Sequence, residues 1–327
     1  MKQSIGIDVS KKKLDCLWLR HPEQLKIKTK VINNDPLGHR QLCDWLLSTT
    51  QQPAENIVVV MEATGIYHET VAYTLYEAGF MVVVENPAQL KAFAKTLGST
   101  HKTDKQDSLL IARYGYTHQP KAWQPERPEI RELKALIARL DALETDYRRE
   151  SNRLEKAEFT SSSATVIESI KAMLKGIEQE KLRVEKKIND HIDSHGQLKK
   201  DRQLLESIPG IGSVVSRVML SIIHSRDFNK AEELAAFIGV IPRLVESGTF
   251  RGRSRLSKKG PGSVRAKLYM AAIVASRYNP HIIQQKERLL HHGKTKMQAL
   301  GAAMRKLVHL CFGVIKHQTE YSLQVMN

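Results

Sequence analysis

Cysteine is scarce in this sequence: Cys16, Cys43 and Cys311 are the only three in 327 residues, far apart and odd in number. They make neither a disulfide framework nor a zinc-ligand pattern, which points to a reducing cytoplasm. Long apolar runs are also missing. No uninterrupted stretch approaches the roughly 18–20 residues that a membrane-spanning helix needs, and Met1-Lys2-Gln3-Ser4 leads straight into a strand-like segment without a signal-peptide core. Aromatic residues make up 6%, so platforms that stack on successive bases are not expected. Acids are the minority charge: 35 Asp and Glu stand against 51 Lys and Arg, a formal +16. An excess of that size calls for an anionic partner, and nucleic acid is favoured over a membrane or an acidic protein because no amphipathic anchor is present. What remains is ordinary globular composition, 41% hydrophobic, in a chain long enough for two cores.

Residues 4–120 read as alternating strands and helices. Ile5, Ile7 and Val9 alternate with Gly6, Asp8 and Ser10, which predicts a strand with Asp8 on the face opposite its apolar side. Leu14–Leu19 and Lys26–Ile32 predict two more strands, followed by a helix from Pro36 to Leu47. Ile57-Val58-Val59-Val60-Met61 is nearly continuous, as in a central strand covered on both faces. A helix over Tyr67–Ala78, a strand over Phe80–Val84 and a helix over Asp107–Tyr116 complete the series. Three strands, then helix, strand, helix, strand, helix is the order of the α/β ribonuclease H-like fold. Beyond Trp123-Gln124-Pro125 the pattern changes: Ile130, Leu133, Ile137, Leu140, Tyr147 and Leu154 follow heptad steps, broken by Glu144 and Ser151. After Phe159-Thr160-Ser161-Ser162-Ser163, Val166, Ile170, Met173, Ile177 and Val184 resume them. Such helices fit either an intramolecular hairpin or a contact with a second subunit. From residue 203 the chain reads as helical and basic, apart from a glycine-rich, cationic stretch between Gly239 and Gly262.

Three groups of residues carry chemistry. The first is acidic: Asp8 on the first strand, Glu62 closing the buried strand, and Asp104 with Asp107 near the start of a helix. A carboxylate ending an apolar strand is costly to bury without a compensating cation, and acids three apart on a helix face one way. Carboxylates converging at one end of a sheet suit hard divalent ions, and two such ions can activate a nucleophile and steady the leaving oxygen of a phosphodiester. Taken singly, Asp104 and Asp107 also fit helix capping, and Glu62 fits pairing with a lysine.

The second group, Ile208-Pro209-Gly210-Ile211-Gly212 between two helical segments, has the form of a helix-hairpin-helix. Its backbone N–H groups at a helix N-terminus could hold a phosphate without reading sequence; a purely structural turn fits as well. The third is Ser247-Gly248 in a loop followed by Arg251, Arg253, Arg255, Lys258 and Lys259, with Arg265 beyond. A serine there is placed to attack a phosphodiester, and cations would neutralise the phosphorane that forms. A Ser-Gly pair is also an ordinary turn, the cations also fit simple phosphate binding, and Ser254, Ser257 and Ser263 compete for the nucleophile's role. Lys11, Lys12 and Lys13 fit either nucleic-acid contact or a solvated turn.

Together, Gly6-Ile7-Asp8-Val9-Ser10-Lys11, Met61-Glu62-Ala63-Thr64-Gly65 and Lys102-Thr103-Asp104-Lys105-Gln106-Asp107, with Ile208 to Gly212, Gly239-Val240-Ile241-Pro242 through Ser247-Gly248, and Lys259-Gly260 followed by Arg265, resemble the bacterial DEDD-type insertion-sequence transposases, the bridge RNA-guided recombinases. The likeness spans essentially the whole chain; the usual Gly-Leu before the proline is Gly239-Val240 here. It implies a RuvC-like DEDD domain over 1–125, a coiled-coil region over 126–200 and a mainly α C-terminal domain over 201–327. It implies that Asp8, Glu62, Asp104 and Asp107 hold Mg²⁺, or Mn²⁺, and that Ser247 forms a transient phosphoserine link to DNA. It further implies a structured guide (bridge) RNA that pairs with donor and target DNA, and a homo-oligomer, a dimer of dimers, with acids from one subunit and serine from another. The setting would be the bacterial cytoplasm. A Holliday-junction-type endonuclease using the acids and water, and a non-catalytic RNA-binding scaffold, are the competing readings.

Overall fold

The computed structural model describes residues 2–63, 65–98, 103–243, 246–247, 250–251 and 255–322; at 246–247, 250–251 and 255 it describes the backbone alone. The chain falls into two compact units, Met1–Pro125 and Glu126–Asn327.

The first unit is a five-stranded sheet between helices. Its elements are β1 (Gln3–Val9), β2 (Lys13–His21), β3 (Lys26–Asn33), α1 (Pro36–Thr50), β4 (Ile57–Glu62), α2 (Glu69–Glu77), β5 (Met81–Glu85), α3 (Pro87–Thr96) and α4 (Asp104–His118). The strands lie in the order β3-β2-β1-β4-β5. The first three are joined antiparallel, while β4 runs parallel to both β1 and β5. Sequence sets the helix starts: Asp35 accepts from the Gly38 N–H ahead of α1, Asn86 from Ala88 ahead of α3, and Thr103 from Gln106 ahead of α4. Alternation sets the faces. Ile5, Ile7 and Val9 pack with Leu42, Trp45 and Leu46 of α1 and Val71, Ala72 and Leu75 of α2. On the other face Val58, Val60 and Val83 meet Leu90, Ile111 and Tyr114 of α3 and α4. Burial of each such side chain contributes about 1.5–3 kcal/mol. The last helix of this unit begins at Asp104, a turn earlier than the apolar pattern predicts, because Thr103 supplies the cap.

The second unit contains α5 (Pro128–Phe159), α6 (Ala164–Ser194), α7 (Gly196–Glu206), α8 (Ser213–Ile223), α9 (Ala231–Ile238), the short strands β6 (Pro242–Arg243), β7 (Glu246–Ser247), β8 (Phe250–Arg251) and β9 (Arg255–Leu256), then α10 (Gly262–Tyr278), α11 (Pro280–His291) and α12 (Lys296–His317). Helices α5 and α6 pack antiparallel: His191 near the end of α6 bonds the Glu129 carbonyl at the start of α5 (2.8 Å), and Lys171 pairs with Glu158 near the turn. Their base shares one hydrophobic core with the C-terminal helices, from Ile130, Leu133 and Ile188 through to Leu307, Val308 and Cys311. Toward the tip the heptad pattern and the packing part company. Val166 and Met173, on the expected seam, are exposed, and Phe159 is 92% exposed. Among the described residues no helix is long and apolar enough to cross a membrane.

Candidate active site

The sheet brings acids to one end of one face. Ile7 lies opposite Met61 in the parallel pair, so Asp8 and Glu62 close neighbouring strands at the same level. Asp15 stands directly across from Asp8 on β2, and Glu85 directly across from Glu62 on β5. Residues opposite one another in a ladder share a face, and this is the face that α4 covers. Glu85 is engaged: it accepts from the Tyr114 hydroxyl (2.9 Å) and from the Asn86 N–H (2.8 Å).

Helix α4 reaches this face because small residues line the contact. A Cβ at Gly6 would come within 2.1 Å of the Ser108 carbonyl oxygen and 2.5 Å of the Ala112 nitrogen; one at Gly115 would come within 2.4 Å of Val60 Cγ2. Ser4 Oγ donates to the Ala112 carbonyl (2.7 Å). Ser108 Oγ lies 2.8 Å from the carbonyls of both Asp104 and Asp15, tying the first turn of α4 to β2. Since Thr103 is the cap, neither Asp104 nor Asp107 is spent on capping, and both lie in the first turn.

The electrostatics reflect this crowding. Burial, then the charges of Asp107, Asp104, Asp15 and Glu62, raise the Asp8 pKa from the ordinary 3.8 to about 6. Asp104 is held below its usual range by Lys13, whose Nζ lies 2.6 Å from Asp104 Oδ2 and 3.1 Å from Asp15 Oδ2. Among the described residues, no group of three or more His, Cys, Asp or Glu side chains is arranged to hold a metal ion as it stands. Asp8 thus feels the charge of the other three expected acids, but the four do not form an assembled ligand set. Sequence reasoning did not single out Asp15 or Glu85; their signal lay in the strand register, which a linear pattern does not print.

In the second unit, α7 and α8 are joined through Ser207–Gly212. Gly210 has a left-handed φ of 102°, and a Cβ there would strike Ala275 Cβ at 2.6 Å. Asn279 Nδ2 donates to the Pro209 carbonyl (3.2 Å). Pro209 and Gly210 therefore serve the packing of this turn on α10, whereas Gly212 is exposed at the start of α8. The basic loop is closed at its base by β6 and β9, with Pro242 paired to Leu256 and Arg243 to Arg255. Arg265 NH1 donates to the carbonyls of Ile238 (3.2 Å) and Gly260 (2.8 Å), so this arginine fastens the loop base. Lys258 and Lys259 are exposed. Ser247 and Arg251 lie on β7 and β8, which pair antiparallel, Ser247 opposite Phe250. Arg253 and Ser254 lie outside the described residues.

A sheet unit with a carboxylate-bearing edge, followed by a helical unit with a basic loop, is thus the class of protein the fold defines. A DEDD transposase model of the IS110 group, described as "Transposase", matches residues 5–157, and a model of the "Transposase IS116/IS110/IS902 family" matches residues 202–287. The "Pilin gene-inverting protein" of Moraxella lacunata is 30% identical over 328 residues, 99% of each chain, and that of Moraxella bovis is 29% identical over the same span. The "Transposase for insertion sequence element IS1111A" of Coxiella burnetii is 24% identical over 65% of this chain and 64% of that one. A T. thermophilus RuvC structure in complex with a Holliday junction substrate matches 38% of this chain and 100% of that chain at 18% identity, with a TM-score of 0.25, too low to bear on the fold. The chain belongs to the IS110 family of insertion-sequence transposases. Its class of reaction is DNA transposition and recombination.

Proposed function

We propose that this transposase is an RNA-guided DNA recombinase that cuts and rejoins donor and target DNA with a divalent-metal acid site and a nucleophilic serine. The observation that carries the reading is the acid cluster. Asp8, Glu62, Asp104 and Asp107 come to one end of one sheet face, and Asp8 is pushed to about 6 by its burial and its acidic neighbours. The strand order β3-β2-β1-β4-β5 fits the ribonuclease H-like arrangement that such acids accompany.

The donor set suits a hard divalent cation, being all carboxylate oxygen, and the Lys13 ammonium seated between Asp104 and Asp15 marks the spot as one that draws positive charge. Asp8, Glu62, Asp104 and Asp107 would hold Mg²⁺, with Mn²⁺ able to replace it. When bound, the ion supplies charge stabilisation to the phosphoryl oxygens.

Ser247 is the proposed nucleophile. Its Oγ attacks phosphorus and loses its proton; a phosphoserine bond forms, and the displaced oxygen leaves as a free hydroxyl end. Attack by a hydroxyl end of the partner strand reverses the step and frees the serine, so no bond energy is lost to water. The cations Arg251, Arg253, Arg255, Lys258 and Lys259 would offset the charge on the phosphorane. Arg265 holds their loop, and the Pro209–Gly212 turn presents Gly212 and the start of α8 to backbone phosphate.

The working divisions are the RuvC-like domain 1–125, the helical hairpin 126–200 as a coiled coil, and the C-terminal domain 201–327 with its helix-hairpin-helix. A structured guide RNA would supply sequence choice by base pairing, leaving a basic, aromatic-poor protein to grip shape and backbone. Phe159, Val166 and Met173, exposed toward the tip of the α5–α6 hairpin, support assembly with further copies into a dimer of dimers. Purification of the chain followed by sequencing of the RNA that accompanies it tests the guide: one structured species is the expected result, and a random sample of cellular RNA would count against it.

A further inference from the structure

Lys13 is built into the acid site. It opens β2 directly after the turn from β1, where the Ser10 N–H donates to its carbonyl (3.0 Å) and its own N–H donates to Ser10 Oγ (3.2 Å). Two residues on, Asp15 stands across from Asp8, and Ser108 ties the Asp15 carbonyl to α4. The two carboxylates that Lys13 touches therefore belong to anchored backbone on different elements, β2 and α4, and the lysine stem is the movable part. The partners also differ: the Asp104 side chain is 58% exposed, that of Asp15 13%.

We propose that Lys13 is an internal counter-ion that competes with the divalent metal. In the metal-free protein its ammonium neutralises Asp104 and eases the repulsion around Asp8. When the metal is bound it swings off Asp104 and rests on Asp15 alone. Asp15 is then not a metal ligand but the carboxylate to which Lys13 retreats. The physics is simple. An ammonium and a dication cannot both sit within about 3 Å of one carboxylate without strong mutual repulsion. A side-chain rotation along the four-carbon stem removes the conflict without moving the backbone. Asp15, shielded and adjacent, makes that rotation cheap. The inference rests on the proposal that the acids bind metal.

The test is a Mn²⁺ titration of the full chain without nucleic acid, read by loss of the free-ion signal in electron paramagnetic resonance. Lys13→Gln is expected to bind Mn²⁺ about three- to tenfold more tightly than the wild type, a modest factor because the pair is solvent-screened. Lys13→Arg is expected to stay near the wild type. Asp15→Asn is expected to weaken binding by a similar factor, because Lys13 then has only Asp104, and to have little effect once Lys13 is already Gln. Unchanged or weaker binding in Lys13→Gln would overturn the proposal, as would an equal Asp15→Asn effect with and without Lys13, which is the behaviour of a direct ligand. Asp8→Asn separates the two levels. If it abolishes wild-type binding while Lys13→Gln changes nothing, the metal site stands and the counter-ion falls. If neither the wild type nor Lys13→Gln binds Mn²⁺, both fall together.

Discussion

Gly6 and Ser108 meet backbone to side of backbone: a Cβ on Gly6 would stand 2.1 Å from the Ser108 carbonyl oxygen. This contact seats α4 on β1 immediately below the acids, so it sets how far Asp104 and Asp107 stand from Asp8. Gly6→Ala should force the helix outward. We expect a loss of about 1–3 kcal/mol in a denaturant titration, and a loss of DNA cleavage larger than the lost folded fraction accounts for. Wild-type cleavage per folded molecule would show that the seating does not govern the site.

The Asp8 carboxyl predicts a pH signature. Its pKa is raised in the folded chain, from 3.8 to about 6, so its favourable contribution is present below 3.8 and is lost as pH rises through about 6. In chelator, the thermal stability of the wild type relative to Asp8→Asn should therefore fall across that window. Metal binding has the opposite slope, since the acid must lose its proton: Mn²⁺ affinity should weaken as pH drops below about 6. A wild-type-minus-variant difference flat across the window contradicts the assignment.

Arg265 and the lysine pair Lys258 and Lys259 should separate by salt dependence. Arg265 spends NH1 on the Ile238 and Gly260 carbonyls, whereas both lysines are exposed. Replacing both lysines with Gln should lower the slope of log affinity against log salt by about 2, roughly one per phosphate contact. Arg265→Met should leave the slope nearly unchanged while making the loop more sensitive to protease. The reverse pattern would assign phosphate binding to Arg265.

Asp201 is a structural acid that the sequence does not advertise. It is buried on α7 and accepts from His224 Nε2 (2.8 Å), Gln318 Nε2 (2.8 Å) and Gln197 Nε2 (2.9 Å), while His224 Nδ1 meets Arg127 NH2 at 2.9 Å. Burial alone would raise its pKa; the three donors outweigh it and leave the acid below its usual range. Asp201→Leu, which strands these donors, should cost about 3 kcal/mol of unfolding free energy in the second unit. A cost under about 1 kcal/mol would mean that water replaces the acid.

The strands, their faces and the placement of Asp8 and Glu62 were legible because period-two alternation and the Ile57–Met61 run are local signals. Asp15 and Glu85 were not, since each depends on which residue a register sets opposite it, and neither was the Lys13–Asp104 pair, which joins residues that only the fold brings together. The glycines divided in the same way. Gly210 looks like a phosphate-turn glycine in sequence, yet its need is set by Ala275, far along the chain. The heptad steps foretold two long helices but not where burial stops: the C-terminal helices cover the hairpin's base, and Val166 and Met173 stay exposed. Ser247 stood out locally as a serine ahead of a cationic run, with Ser254, Ser257 and Ser263 as rivals, and only the family likeness chose among them; its backbone lies on β7.

If the acids and a serine together join protein to DNA, the joined species can be trapped. Wild-type protein, its co-purified RNA and a labelled donor duplex, incubated with Mg²⁺ and quenched in denaturant, should give a covalent protein–DNA adduct that maps to Ser247. Ser247→Ala and Asp8→Asn should each abolish it. An adduct that survives in Ser247→Ala, or DNA cut to free ends by the wild type with no adduct, would rule out Ser247 as the nucleophile.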